Sequence, residues 1–140
     1  IMMTKHKDIF EQGDHGSTFG GNYLSSVAGL KVCEILEEHK VNGLLDNTIN
    51  YFFKSLNTLF KNHRDKFDRI IGVGMMQGLR LIDENQLRTI IVRALEEGVM
   101  VLKSGKNVLR FLPPLTISRA EIDEGFRKLD LALKGLKNEY

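Results

Sequence analysis

Two groups of residues in this chain carry side chains whose types and spacing suit chemistry. The first is Gly13-Asp14-His15-Gly16-Ser17-Thr18-Phe19-Gly20-Gly21-Asn22. Its four glycines rule out a regular element and imply unusual backbone angles or the close approach of another group. Hydroxyls and backbone N–H groups ahead of a helix are what a phosphate ester needs, since it takes several donors held still. The same residues also suit an ordinary glycine-rich turn in which Ser17 and Thr18 cap local backbone. The second group is Arg110, set between Leu109 and Phe111 and followed by Pro113-Pro114. A cation on a buried strand is costly unless paired, and a guanidinium binds a carboxylate through two parallel hydrogen bonds. That carboxylate can belong to a substrate. It can also be Glu121 or Asp123, or Arg110 can simply face outward.

Other candidates are weaker. His15 has no partner of metal-ligand type at ligand spacing, so no metal site is expected, and a role in loop structure with Asp14 fits better. Gly72 and Gly74 lack the third glycine and the following helix of a dinucleotide-binding turn. With Gly78 they read as bulges or places of close sheet packing. Met75 and Met76 read as core.

The elements that must position these residues follow from periodicity. Asn22 is a plausible N-cap for a helix carrying Leu24, Val27, Ala28, Val32, Ile35 and Leu36. Asn42-Gly43 breaks it. A second helix carries Leu45, Ile49, Phe52, Phe53, Leu56, Leu59 and Phe60 on a wide apolar face. Residues 67–82 are β-like and punctuated by glycines, so they form two strands or one bent strand. Asp83 and Gln86 suggest a capping box for a third helix, which buries Leu87, Ile90, Ile91, Ala94 and Leu95 and ends at Gly98. Residues 99–102 and 108–112 read as strands separated by a turn at Gly105. Ser118 and Glu121 form a capping box for a last helix with Ile122, Phe126, Leu129, Leu133 and Leu136 buried. The expected architecture is α/β: a small α+β domain with two or three antiparallel-leaning strands and helices on one face.

Composition agrees with an ordinary globular chain. The 140 residues are 42% hydrophobic and 27% charged, with a net charge of +2. A chain of that size buries about two thirds of its unfolded surface. The interleaved charges give no electrostatic footprint for nucleic acid. No apolar run approaches the roughly 20 residues of a membrane helix, so no membrane partner is expected. Cys33 is the only cysteine, which fits a reducing, cytoplasmic setting. The chain starts Ile1-Met2-Met3-Thr4-Lys5, without a signal-peptide core. Its initial Ile suggests a piece of something longer.

Three stretches, in this order and spacing, resemble the class III aminotransferases. They are residues 13–22, Gly72-Val73-Gly74-Met75-Met76-Gln77-Gly78, and Val108-Leu109-Arg110-Phe111-Leu112-Pro113-Pro114-Leu115-Thr116. The wording is closest to the acetylornithine and succinylornithine branch. The resemblance implies the C-terminal portion of a fold-type I transferase that uses pyridoxal 5'-phosphate. It also implies a homodimer with shared active sites, acting on a small amino-acid substrate and 2-oxoglutarate. For the acetylornithine branch the donor is N2-acetyl-L-ornithine, in arginine biosynthesis.

By the same resemblance, Thr18 binds the cofactor phosphate in the neighbouring subunit's site. Ser17 lies near the acyl-ornithine substrate, and Arg110 clamps the substrate α-carboxylate. The catalytic lysine and the aspartate that pairs with the pyridine nitrogen lie upstream, so none of the catalytic residues is in this chain, and Lys5 and Lys7 lack the lysine's glycine-rich context. Residues 1–40 are then the end of the large cofactor-binding domain and the interdomain helix, and residues 41–140 the C-terminal small domain. Tyr23-Leu24-Ser25-Ser26 stands where most of the family has Pro and small residues, which implies an altered helix entry or dimer contact. Alternative readings are another class III enzyme (succinylornithine, ornithine, 4-aminobutyrate or diaminopelargonate aminotransferase) or a non-enzymatic dimerisation domain.

Overall fold

The computed structural model describes residue 11, residues 13–14 and residues 16–136. His15, Lys5 and Lys7 therefore lie outside the described residues. The chain divides into two compact units, Ile1–Val41 and Asn42–Tyr140.

The described part of the first unit is a loop and one helix, α1 (Tyr23–Val41). Asn22 starts the helix in the way its residue type predicts. Its Oδ1 accepts from the Ser25 amide at 3.0 Å, while its Nδ2 donates to the Phe19 carbonyl at 2.6 Å. The cap thus supplies one of the partners a helix start lacks and ties the loop to the helix. Tyr23 is the first helical residue and is 92% exposed. None of the residues of α1 is buried.

The second unit holds α2 (Leu44–Asn62), β1 (Phe67–Val73), β2 (Met76–Leu81), α3 (Gln86–Glu96), β3 (Leu102–Ser104), β4 (Val108–Phe111) and α4 (Arg119–Lys134). The strands form one antiparallel sheet of four in the order β1-β2-β4-β3. That is one strand more than the two or three expected, with residues 67–82 supplying two of the four.

β1 and β2 are a hairpin. Val73 pairs with Met76 around Gly74-Met75, and Gly74 has φ +61°, the left-handed angle that a two-residue hairpin loop demands. The Gln77 side chain donates to the Gly74 carbonyl at 2.9 Å and holds the loop closed. The bulge lies between Phe67 and Arg69 rather than at the glycines.

Leu79, Leu81, Leu109 and Phe111 alternate toward one face of the sheet, as period-two packing requires. There they meet Leu56 and Leu59 of α2, Ile90 and Ala94 of α3, and Ile122, Leu129 and Leu133 of α4 in one core. The rings of Phe52, Phe111 and Phe126 meet with centroids 5.2–6.3 Å apart, joining α2, β4 and α4.

Four local expectations change. Leu95 of α3, expected in the buried stripe, is 60% exposed. The capping box at Asp83 and Gln86 does not form: Asn85 is the N-cap, and Asp83 Oδ1 instead accepts from the amide and side chain of Asn85. The third strand starts at Leu102, so residues 99–101 precede it. Met75, in the hairpin turn, is core, but Met76, the first residue of β2, is 54% exposed. The Ser118–Glu121 capping box forms in full. Its hydrogen bonds from the Ser118 hydroxyl and amide hold the Glu121 carboxyl below its ordinary value.

The end of α2 is tied to α4 through a buried histidine. His63 Nε2 lies 2.8 Å from Asp130 Oδ1, and Lys134 Nζ lies 2.5 Å from Asp130 Oδ2. Burial pushes the Asp130 carboxyl up, but the hydrogen bonds from Lys134 and His63 together outweigh it and hold it below its ordinary value. A folded-state value below the unfolded one means stability is gained above the unfolded value and lost as pH falls through the folded one. Thermal midpoints should therefore fall on acidification below the ordinary carboxylate range. Asp130→Asn should cost about 1–3 kcal/mol at neutral pH and flatten that fall. An unchanged midpoint-against-pH curve in the variant would remove Asp130 from the account.

Candidate functional site

The site in the second unit is built on β4. Val108, Leu109 and Phe111 favour an extended, half-buried strand, and Pro113-Pro114 follow its end, where an amide donor is no longer required. Leu109 and Phe111 face the core, so Arg110 faces the opposite side of the sheet. Its cross-strand neighbours are Gly78 on β2 and Leu102 on β3.

Arg110 is half-buried, and its Nε is fully buried with no hydrogen-bond partner. Among the described residues no carboxylate forms an ion pair with it. The two protein partners open from sequence are engaged elsewhere. Glu121 holds the amide and hydroxyl of Ser118, and Asp123 accepts from the Tyr51 hydroxyl at 2.7 Å. That bond raises the Tyr51 phenol above its ordinary value.

Arg110 lines a cavity of about 630 Å³. The walls are mostly apolar, with Met100, Leu102, Phe111, Pro113 and Phe126 among them. Glu124, also on the wall, is neutralised by Arg127 and Lys128, and its carboxyl is lowered to about 2, first by the Arg127 hydrogen bond. The arrangement can therefore seat an anionic group at Arg110 with a carbon chain along apolar walls. Sequence reasoning found Arg110. It did not find the wall that the residues after Gly98 and the first half of α4 contribute, because these segments are far apart in sequence and line one cavity only in the folded unit.

Ser17 and Thr18 belong to the first unit. Both are exposed in the loop that runs through Gly20 and Gly21 to the Asn22 cap. Hydroxyls followed by a helix start, where the first amides have no partner within the helix, form a donor set that fits a phosphate ester. Among the described residues no group of three or more His, Cys, Asp or Glu side chains could hold a metal ion.

The family model described as "Aminotransferase class-III" matches residues 1–133. An acetylornithine aminotransferase of Wolinella succinogenes is 46% identical over 135 residues, which cover 96% of this chain and 34% of that protein. One from Caldanaerobacter subterraneus is 38% identical over 138 residues, covering 98% of this chain and 34% of that protein. The solved lysine aminotransferase from M. tuberculosis superposes with a TM-score of 0.74 at 27% identity, covering 88% of this chain and 28% of that one. The chain thus spans about a third of the length of the curated relatives it matches. Pyridoxal phosphate is the cofactor of such enzymes. No helix among the described residues is long and apolar enough to cross a membrane. With a family model covering nearly its whole length, this chain belongs to the class III aminotransferase family.

Proposed function

We propose that this chain is the C-terminal part of an acetylornithine aminotransferase. The enzyme moves the terminal amino group of N-acetylornithine to 2-oxoglutarate, in cytoplasmic arginine biosynthesis. The observation that carries the reading is Arg110: a half-buried cation beside an apolar cavity, with no carboxylate among the described residues paired to it. A charged group in that state calls for an anion from outside, and both substrates carry a carboxylate. The names of two curated relatives support the branch.

When bound, pyridoxal phosphate supplies the carbonyl that takes up the amine and the electron sink that acidifies the carbon bearing it. The residues of this chain bind and orient. Thr18 would donate to the phosphate, Ser17 would contact the acyl-ornithine, and Arg110 would fix the α-carboxylate of donor and oxo acid in turn. Residues 1–40 would then close the large domain and residues 41–140 form the small one. The 140 residues by themselves are expected to show no turnover.

The test is the amino-donor half-reaction of the full-length, cofactor-loaded enzyme, followed by absorbance against N-acetylornithine, N-succinylornithine, ornithine, lysine and 4-aminobutyrate. Fastest conversion by N-acetylornithine supports the proposal. A faster conversion by another donor keeps the family and removes the branch.

The homodimer with shared active sites is part of the same proposal. Leu24, Val27 and Leu30 of α1 are each more than 60% exposed, and Val32 is more than half exposed. An apolar surface of this kind favours association. The 140-residue chain is therefore expected to self-associate in light scattering, and a monodisperse monomer would count against α1 as an interface.

A further inference from the structure

Arg88 of α3 and Lys103 and Lys106 of the β3–β4 hairpin line one cavity of about 430 Å³. It shares no lining residue with the cavity at Arg110. Ser104 pairs with Val108, so residues 105–107 form the hairpin loop. Gly105 has φ +59° and nothing within 4 Å of where a Cβ would sit, so the turn needs glycine for its backbone angle and not for space. The turn keeps Lys103 and Lys106 together, and the cavity joins them to Arg88.

Like charges gathered on one wall repel each other, and carboxylates ordinarily offset them. On α4, Arg127, Lys128 and Lys134 each have a carboxylate partner. Among the described residues, none of Arg88, Lys103 and Lys106 forms an ion pair. Glu84 lines the same cavity and stands close to Arg88 in the chain, yet it is not paired with it. The start of α3 adds little to the cavity, because the amides of Gln86 and Leu87 are already bonded to the carbonyls of Asp83 and Glu84. The cationic side chains are therefore the donors on offer. Leu87 and Ile91 give the cavity an apolar side.

We infer that this cavity binds a small polyanion. Its anionic oxygens, of phosphate or of clustered carboxylates, meet Arg88, Lys103 and Lys106, and its carbon body lies on Leu87 and Ile91. Three cations less one carboxylate leave two positive charges, so the ligand carries at least two negative ones. The guanidinium grips two oxygens at fixed angles, while the two ammonium groups act as mobile point charges that adapt to the rest. The volume suits a small molecule. The inference is independent of the amino donor and of Arg110.

The experiment uses the full-length cofactor-loaded enzyme in calorimetry, with pyrophosphate and citrate as probes. The salt concentration is about 0.15 M, where loose attraction between exposed charges is screened. At least one probe is expected to bind one site per chain with a Kd below about 1 mM. Lys103→Gln combined with Lys106→Gln should weaken that probe at least about tenfold, as for loss of charge-assisted hydrogen bonds. Both lysines are exposed, so the fold is not at stake. Lys54→Gln combined with Lys61→Gln removes the same charge from exposed positions on α2 and should bind as the wild type does. A tighter Kd for pyrophosphate assigns phosphate oxygens to the site, and a tighter Kd for citrate assigns carboxylates; either supports the inference. It is overturned if neither probe binds, if the Lys103 and Lys106 variant binds normally, or if the α2 control loses as much affinity, since the attraction would then belong to the whole surface.

Discussion

Replacing Arg110 by alanine in the full-length enzyme is expected to raise the KM for 2-oxoglutarate by about two orders of magnitude or more, as when one partner of a desolvated charge pair is removed. Arg110→Lys keeps the charge but loses the two-pronged geometry, so it should recover only part of the loss, leaving KM about tenfold above wild type. Stability should respond in the opposite sense to that of an ordinary core residue. The guanidinium is partly desolvated, and its Nε has no partner among the described residues. Removing an uncompensated buried cation relieves a cost, so Arg110→Met should unfold at a denaturant concentration no lower than the wild type. Loss of substrate affinity together with unchanged or higher stability is the signature of a residue kept for its ligand. Marked destabilisation with normal KM would mean that Arg110 holds the sheet together and that the anchor lies elsewhere.

Phe52→Ala is expected to be the most damaging single change in the core, at about 3–5 kcal/mol. Phe52 is 4% exposed and lies against Phe111 of β4 and Phe126 of α4, with centroids 6.3 and 5.2 Å away. Removing it deletes a large apolar side chain and both ring contacts, each worth about 0.5–1.5 kcal/mol beyond its area. A domain's whole stability is about 5–15 kcal/mol, so the loss is a large share of it. Phe52 also lines the cavity that Arg110 borders, so the variant should enlarge that cavity toward α2. Urea denaturation checks the value, with a lower midpoint at unchanged slope as the expected result. A loss below about 1 kcal/mol would mean that α2 and α4 close over the gap, which the spread of such measurements allows only at sites that collapse easily.

How much of this was legible in the residues depends on how local each feature is. The α1 cap at Asn22 and the Ser118–Glu121 capping box each depend on a few neighbouring atoms, and each can be read from residue type and spacing. Asp83 and Gln86 have the right spacing for a capping box, yet Asn85 takes the N-cap because Asp83 turns to bond its amide and side chain. Two local solutions of similar energy were available, and spacing alone does not choose between them.

The sequence by itself determined the family, the helix and strand types, and the presence of an arginine on a strand that must bury its neighbours. These follow from motif order, from periods of 3.6 and 2, and from the cost of burying charge. Tertiary structure alone decided that Glu121 and Asp123 are committed to Ser118 and Tyr51. It also decided that β2, not β1, runs beside β4, so that Gly78 faces Arg110. The physical reason is that strand order and side-chain pairing are set by which apolar faces bury together across long sequence separations. A residue type and its near neighbours carry no record of that choice.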